Sequence, residues 1–229
     1  MVQGIFLILV DDFTRIMWVA FLKEKLEAFE KFKIFKNKVE NTSKVKIKSL
    51  RPDRGGEFTF REFNIYCEEH GIRRQLSSPH TLEQNEIFER RKKLVAEATR
   101  YMLFENDVPK PFWREAVNTI VYTLNKVKIR KVMDKTTYEL WFGHSPSVKY
   151  FRIFGRKCYI KRDDDIGKFD PRRNEGKFLG YSLKSKAYRC FNYRTKTIVE
   201  CTNVKINENF GTKEKIMDYN SDGDDYFGT

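Results

Sequence analysis

Two acids stand at a distance that suits shared work on a cation. Asp53 lies in Arg51-Pro52-Asp53-Arg54-Gly55-Gly56-Glu57-Phe58 and Glu89 in Gln84-Asn85-Glu86-Ile87-Phe88-Glu89-Arg90-Arg91, with thirty-five residues between them. The surrounding pattern predicts a strand that ends just before Asp53 and a long helix that carries Glu89 near its start. Carboxylates that converge this way are hard oxygen ligands and can hold divalent cations beside a phosphodiester. Such chemistry ordinarily uses a third acid, and no candidate upstream of Asp53 stands in the right setting. Asp11 and Asp12 belong to a turn, Asp11-Asp12-Phe13-Thr14-Arg15. Taken singly, Asp53 is a plain Asp-x-Gly-Gly turn residue and Glu89 a solvated helix acid with Lys93 at i+4. The residues alone favour the turn reading of Asp53.

Arg90, Arg91, Lys92 and Lys93 follow Glu89 directly. Four successive positions cover all sides of a helix, so they cannot all face one phosphate. Lys93, one turn beyond Glu89, is the best placed. The whole chain is basic, with 45 Lys plus Arg against 32 Asp plus Glu, a formal charge of +13. From Glu208 onward six acids face two lysines, so residues 1–207 carry +17. A body this basic points to a polyanion, with nucleic acid bound without sequence preference as the leading partner. Four cysteines without a Cys-x-x-Cys pair and only three histidines argue against structural zinc. The longest apolar run, Ile5–Val10, is far too short to span a membrane. An intracellular protein with free thiols is expected.

The elements that must position the acids are legible from periodicity. Ile5–Val10 and Ile16–Leu22 read as a hairpin of two strands. Residues 24–41 form an amphipathic helix, with Leu26, Phe29, Phe32, Phe35 and Val39 on its stripe. Val45–Leu50 alternates as a strand and delivers Asp53. Phe60–His70 is a helix with Gly71 suited to its C-cap, Ile72–Leu76 a short strand, and Ser77–Glu83 a polar loop. Gln84–Phe104 is the long basic helix. A further helix opens at Pro109 and Pro111 and runs through Leu124, and Thr137–Phe142 is a helical turn ended by Gly143. After Pro146 the texture changes to short strands over Tyr150–Ile160, Gly176–Ser182, Ala187–Tyr193 and Thr197–Val204, a small all-β module. Its Arg152, Arg156, Lys157, Lys161 and Arg162 mix with Tyr150, Phe151 and Tyr159, a pattern that suits nucleic-acid contact and an ordinary amphipathic barrel equally. Asp218–Thr229 reads as a disordered acidic tail. Met1-Val2-Gln3-Gly4 runs at once into a buried-strand pattern, so the chain is expected to start inside a domain.

With these segments in order, the chain resembles the integrase of copia-type LTR retrotransposons, within the retroviral integrase and transposase superfamily. Val10-Asp11-Asp12-Phe13-Thr14-Arg15 with Trp18-Val19-Ala20-Phe21-Leu22-Lys23 is similar to the family's second-strand hairpin. Leu50 to Phe58 resembles its second catalytic segment. His70-Gly71-Ile72-Arg73-Arg74-Gln75 and Pro79-His80-Thr81-Leu82-Glu83-Gln84-Asn85, leading to Glu89-Arg90, resemble the third. Phe112-Trp113-Arg114-Glu115-Ala116-Val117 and Leu140-Trp141-Phe142-Gly143 match the segment downstream of the core. Phe151-Arg152-Ile153-Phe154-Gly155 through Gly176-Lys177-Phe178-Leu179-Gly180-Tyr181 resembles the Src-homology-3-like barrel that follows it.

The resemblance implies an α/β protein: a ribonuclease-H-like mixed sheet over residues 1–145 lacking its first strand, a small all-β Src-homology-3-like barrel over 146–207, and the tail over 208–229. It implies Mg²⁺ or Mn²⁺ held by three acids, with Asp53 the second and Glu89 the third. The first would precede Ile5, and the family's upstream zinc domain is missing too. The nucleic-acid-binding candidates are Lys93, Arg90, Lys92, Asn85 and Gln84. Homo-oligomers, and a nuclear location for a functional copy, belong to the same expectation. Three departures stand out: Arg54 where the family has Asn, Glu86 where it has Gly, and Phe88 where it has a small residue. Two readings therefore stand side by side. One is a DNA-integration module, metal-dependent in 3′-end processing and strand transfer. The other is a non-catalytic relic that binds nucleic acid or itself. By itself the chain is expected to hold one ion weakly at best and to perform no strand transfer.

Overall fold

The computed structural model describes residues 4–52, 61–75, 82–162 and 168–208, with the backbone alone for 82–87. They fall into two compact units, one from Met1–Val10 and Met17–Leu94, the other from Asp11–Ile16 and Val95–Thr229.

In the first unit β1 (Ile5–Val10) pairs antiparallel with β2 (Met17–Leu22), Ile5 opposite Leu22 and Val10 opposite Met17. A 3-10 turn at Lys25–Glu27 leads into α1 (Ala28–Ser43). Leu26 therefore sits outside the helical stripe and is exposed, whereas Ala28, Phe32 and Val39 are buried. Lys36 shares the buried stripe because its Nζ meets Glu40 Oε2 at 2.9 Å.

The expected strand Val45–Leu50 contracts to β3 (Ser49–Leu50). Local polar contacts capture the donors a strand would have used: Lys44 takes a left-handed φ of 59° and caps α1. Val45 N–H donates to Ser43 Oγ at 3.2 Å, and Ile47 N–H to Glu40 Oε1 at 2.8 Å. Side-chain capture of this kind competes with a ladder. Burial works to raise the Glu40 carboxyl, but the Ile47 N–H and the Lys36 ammonium outweigh it and hold it below the ordinary range.

α2 (Arg61–Glu69) ends as expected, with Gly71 at φ 64° and Ile72 N–H reaching back to the Cys67 carbonyl at 2.8 Å. β4 (Arg73–Arg74) then pairs parallel with β3, Leu50 opposite Arg74. The core joins Leu7, Leu22, Ala28, Phe32, Phe63, Cys67 and Ile72.

α3 (Leu82–Glu105) is the long helix, and the division between the units falls within it. In the second unit a 3-10 turn at Lys110–Phe112 precedes α4 (Trp113–Val127). A hairpin of β5 (Ile129–Arg130) and β6 (Lys135–Thr136) follows, a feature the periodicity reading passed over. α5 (Thr137–Phe142) starts on a capping box between Thr136 and Glu139 and ends at Gly143, φ 76°. Hydrogen bonds from Ser145, and from the backbone and side chain of Thr136, lower the Glu139 carboxyl to about 2.

β7 (Lys157–Lys161), β8 (Arg173–Tyr181), β9 (Tyr188–Asn192), β10 (Thr197–Cys201) and β11 (Val204–Ile206) form one antiparallel sheet in the order β10-β9-β8-β7-β11. The expected strand from Tyr150 begins only at Lys157, because Gly155 turns the chain at φ 78° and donates its N–H to Phe178 O at 2.8 Å. β8 is buried on both faces from Gly176 to Tyr181. Phe178 faces Cys158, Ile160 and Cys190, while Leu179 faces Val108, Phe112, Ala116, Phe154 and Phe191. A bulge between Phe178 and Gly180 resets the alternation, so Tyr181 joins the Phe178 side. α4 lies against this sheet: Thr119 Oγ1 donates to Leu179 O of β8 at 3.1 Å, and from β9 Arg189 Nε and Nη2 donate to Glu115 at 2.8 Å each. All four cysteines are free thiols, three of them buried.

Candidate metal and nucleic-acid site

Asp53 itself lies outside the described residues, as do Arg54 and the loop to residue 60. The chain that leads to it is fixed up to Arg51. Gln75 N–H donates to Leu50 O at 3.0 Å, and Arg51 Nη2 donates to Gln75 Oε1 at 2.6 Å. The parallel pair thus holds the chain at the C-terminal end of β3, three residues before Asp53. Ends of this kind are where ligands gather in α/β sheets.

Glu89 stands two turns into α3 and is exposed. Arg90, Lys92 and Lys93 are exposed as well, whereas Arg91 is buried at 8%. The run of four cations therefore divides as helical geometry requires, one inward and three outward. Lys92 and Lys93 lie three and four residues beyond Glu89, so one helix face presents a carboxylate beside two ammonium groups. Val95 and Thr99, both buried, continue the inward stripe from Arg91. Gln84 and Asn85 lie in the first turn of α3. Phe88, one of the departures noted above, is half-buried rather than on the open face.

Asp11 and Asp12 are committed to the β1–β2 turn. Asp11 Oδ2 accepts from Thr14 N–H and Thr14 Oγ1, each at 2.7 Å, and Asp12 Oδ1 pairs with Arg15 Nη1 at 2.5 Å. Among the described residues no three His, Cys, Asp or Glu side chains cluster as a metal site. No described helix is long and apolar enough to cross a membrane.

Sequence reasoning missed a second cationic feature. Lys126 is buried among tyrosines, its Nζ 4.3 Å from the Tyr122 ring centroid and 4.9 Å from that of Tyr150. It donates to Tyr122 Oη at 3.0 Å and to Tyr150 Oη. Burial raises the Tyr122 phenol, and it pushes Tyr181, stacked on Tyr122 at 4.6 Å, up to about 12.

The described residues make a mixed α/β chain with a five-stranded antiparallel sheet after its helices. The family model for the retroviral polymerase SH3-like domain matches residues 156–218. The chain is 34% identical over 205 residues to the retrovirus-related Pol polyprotein from transposon RE1 of Arabidopsis thaliana, covering 89% of this chain and 14% of that protein. It is 32% identical over 204 residues to the corresponding polyprotein from transposon TNT 1-94 of Nicotiana tabacum, covering 89% of this chain and 15% of that protein. Over 89% of its length the chain is thus similar to a segment of retrovirus-related Pol polyproteins, and it spans about one seventh of the length of the curated relatives it matches. The mixed α/β class and the Src-homology-3-like module expected from the motifs are borne out.

Two solved structures also align. One is the HTLV-2 integrase catalytic core domain in complex with magnesium, 18% identical, covering 61% of this chain and 93% of that one at a TM-score of 0.45. The other is the simian T-cell lymphotropic virus intasome in complex with a PP2A regulatory subunit. It is 16% identical, covering 89% of this chain and 72% of that one at a TM-score of 0.49.

Proposed function

We propose that this chain is the integrase-like DNA-integration segment of a retrotransposon Pol polyprotein, binding DNA without sequence preference and carrying two acids of a divalent-metal site. The observation that carries the reading is the outward face of α3, where Glu89 stands exposed beside exposed Lys92 and Lys93. The donor set fits the ion: Asp53 and Glu89 are oxygen ligands, and Mg²⁺ and Mn²⁺ are hard cations. When bound, such an ion supplies charge stabilisation at a phosphodiester and lowers the pKa of bound water. Lys93 and Lys92 hold the backbone phosphates beside that position, and Arg90 extends the contact around the helix. Gln84 and Asn85, from the first turn of the same helix, are proposed as further contacts to the same strand.

The test is fluorescence anisotropy of the full chain on a random duplex across a salt series. Affinity should fall steeply between about 50 and 200 mM salt, because each neutralised phosphate releases counterions. An Arg90→Glu/Lys92→Glu/Lys93→Glu variant should lose most of the binding, with a log–log salt slope shallower by roughly 2 to 3. Absence of binding at low salt, or an unchanged slope in the variant, would overturn the reading. Binding that Mg²⁺ leaves untouched, with Asp53→Asn equal to the native chain in every metal-dependent readout, would favour the non-catalytic relic.

A further inference from the structure

We infer that the β5–β6 hairpin is a second nucleic-acid contact, gripping a duplex backbone with its lysines and presenting an apolar tip to a groove. The inference rests on the proposal that the chain binds nucleic acid, and it names a surface which that proposal does not use.

The hairpin is built on a fixed base. Lys126 is anchored among the tyrosines at the end of α4, and Thr137 Oγ1 donates to Asn125 O at 2.7 Å. Thr137 N–H donates to Lys128 O at 3.1 Å, closing the ladder below Ile129 and Thr136. Between these points the chain carries Lys128, Arg130, Lys131 and Lys135 against the single acid Asp134. The turn closes with Met133 N–H on Arg130 O at 2.9 Å and Asp134 at φ 49°.

Three observations point to a polyanion. Arg130 and Lys135 stand directly opposite in the register, and like charges so placed destabilise a bare sheet. The Arg130 guanidinium lies 5.6 Å from the Phe13 ring centroid, and its Nη1 is buried with no hydrogen-bond partner among the described residues. Glu139, the acid whose titration Lys135 influences, is already committed to Ser145 Oγ and Thr136 N–H. A phosphate between the strands would relieve the Arg130–Lys135 repulsion.

The tip is open and carries two apolar side chains, Val132, 91% exposed, and Met133, 36% exposed. A two-stranded ribbon fits the major groove, and small apolar side chains at a ribbon tip can wedge against base steps. A membrane surface is the poorer match, because this tip holds no Trp or Tyr to seat at a lipid interface.

The experiment compares the native chain, Lys131→Ala/Lys135→Ala and Val132→Asp on the same random duplex, with thermal unfolding of each. All three substituted side chains are exposed, so the fold should survive, and loss of Lys135 removes a repulsion rather than a contact. The double variant should show a salt slope shallower by roughly 2, which means about tenfold less affinity lost between 50 and 200 mM salt. Val132→Asp should weaken binding with unfolding unchanged. Native-like slopes and affinities in both variants, on a native chain that does bind, would overturn the inference and leave the α3 contact standing. A native chain that does not bind at all would overturn both. Displacement from the duplex by phosphatidylserine vesicles, lost in Val132→Asp, would make the hairpin a lipid contact instead.

Discussion

Gly180→Ala should destabilise the second unit by roughly 3–5 kcal/mol, enough to unfold a domain of ordinary stability in mild urea. Two costs add. Gly180 has a φ of 132°, a conformation that L side chains rarely adopt. A Cβ there would also meet Thr119 Oγ1 at 2.2 Å. The close approach exists because α4 lies directly on the bulged strand β8, with the Thr119 hydroxyl hydrogen-bonded to Leu179 O. The two costs can be separated. In a Thr119→Ala background the steric part should vanish, since the next atoms, Thr119 Cβ and Glu115 O, lie at 3.5 and 4.0 Å. The backbone part, about 1–3 kcal/mol, should remain. Urea unfolding of the four chains of this cycle reads both. A Gly180→Ala chain with a native midpoint would mean that α4 does not pack on β8 as described.

The second large effect falls on the ion pair that joins α4 to the neighbouring strand β9. Glu115 is buried at 6%, and Arg189 reaches it with two hydrogen bonds while a third goes to Glu200 Oε1 at 2.8 Å. Glu115→Gln leaves the guanidinium against α4 without its buried counter-charge, and such a break costs about 3–5 kcal/mol when both partners are buried. Arg189 is partly exposed and keeps Glu200, so a loss of about 2–3 kcal/mol is expected. Glu200→Gln, at the exposed end of the triad, should cost about 0–1 kcal/mol. The contrast between the two variants in urea midpoint is the readout. Equal, small effects would show that Glu115 contributes packing and no electrostatics. Replacing the pair together, Glu115→Leu/Arg189→Met, should restore much of the loss, because an apolar pair of similar volume avoids desolvating two charges.

Much of the fold was readable because its signals are local. The 3.6-residue period placed α3 within two residues of its observed bounds, and Gly71 and Gly143 ended their helices for the reason glycines usually do. The β1–β2 hairpin followed from β-branched and aromatic runs flanking an Asp-Asp turn. What failed depended on contacts that a local pattern does not contain. Val45–Ile47 alternates like a strand, yet Glu40, seven residues away from Ile47, claims its N–H. Tyr150 to Phe154 has strand composition, but Gly155 and the aromatic cluster around Tyr181 turn it into a loop. The β5–β6 hairpin was hidden because its strands are two residues each and its turn has neither glycine nor proline. The burial of Arg91 between exposed Arg90 and Lys92 was foreseeable from helix geometry. Which of the four cations would turn inward depended on Val95 and Thr99 below it.

The most direct measurement of the proposed function is a Mn²⁺ titration of the full chain, followed by loss of the free-ion electron paramagnetic resonance signal, in the native protein, Asp53→Asn and Glu89→Gln. If these two acids form a metal site, the native chain takes up Mn²⁺ weakly at a single site, Mg²⁺ displaces it, and each variant abolishes it. Uptake of equal strength in all three chains would place the ion elsewhere and contradict the assignment of Asp53 and Glu89.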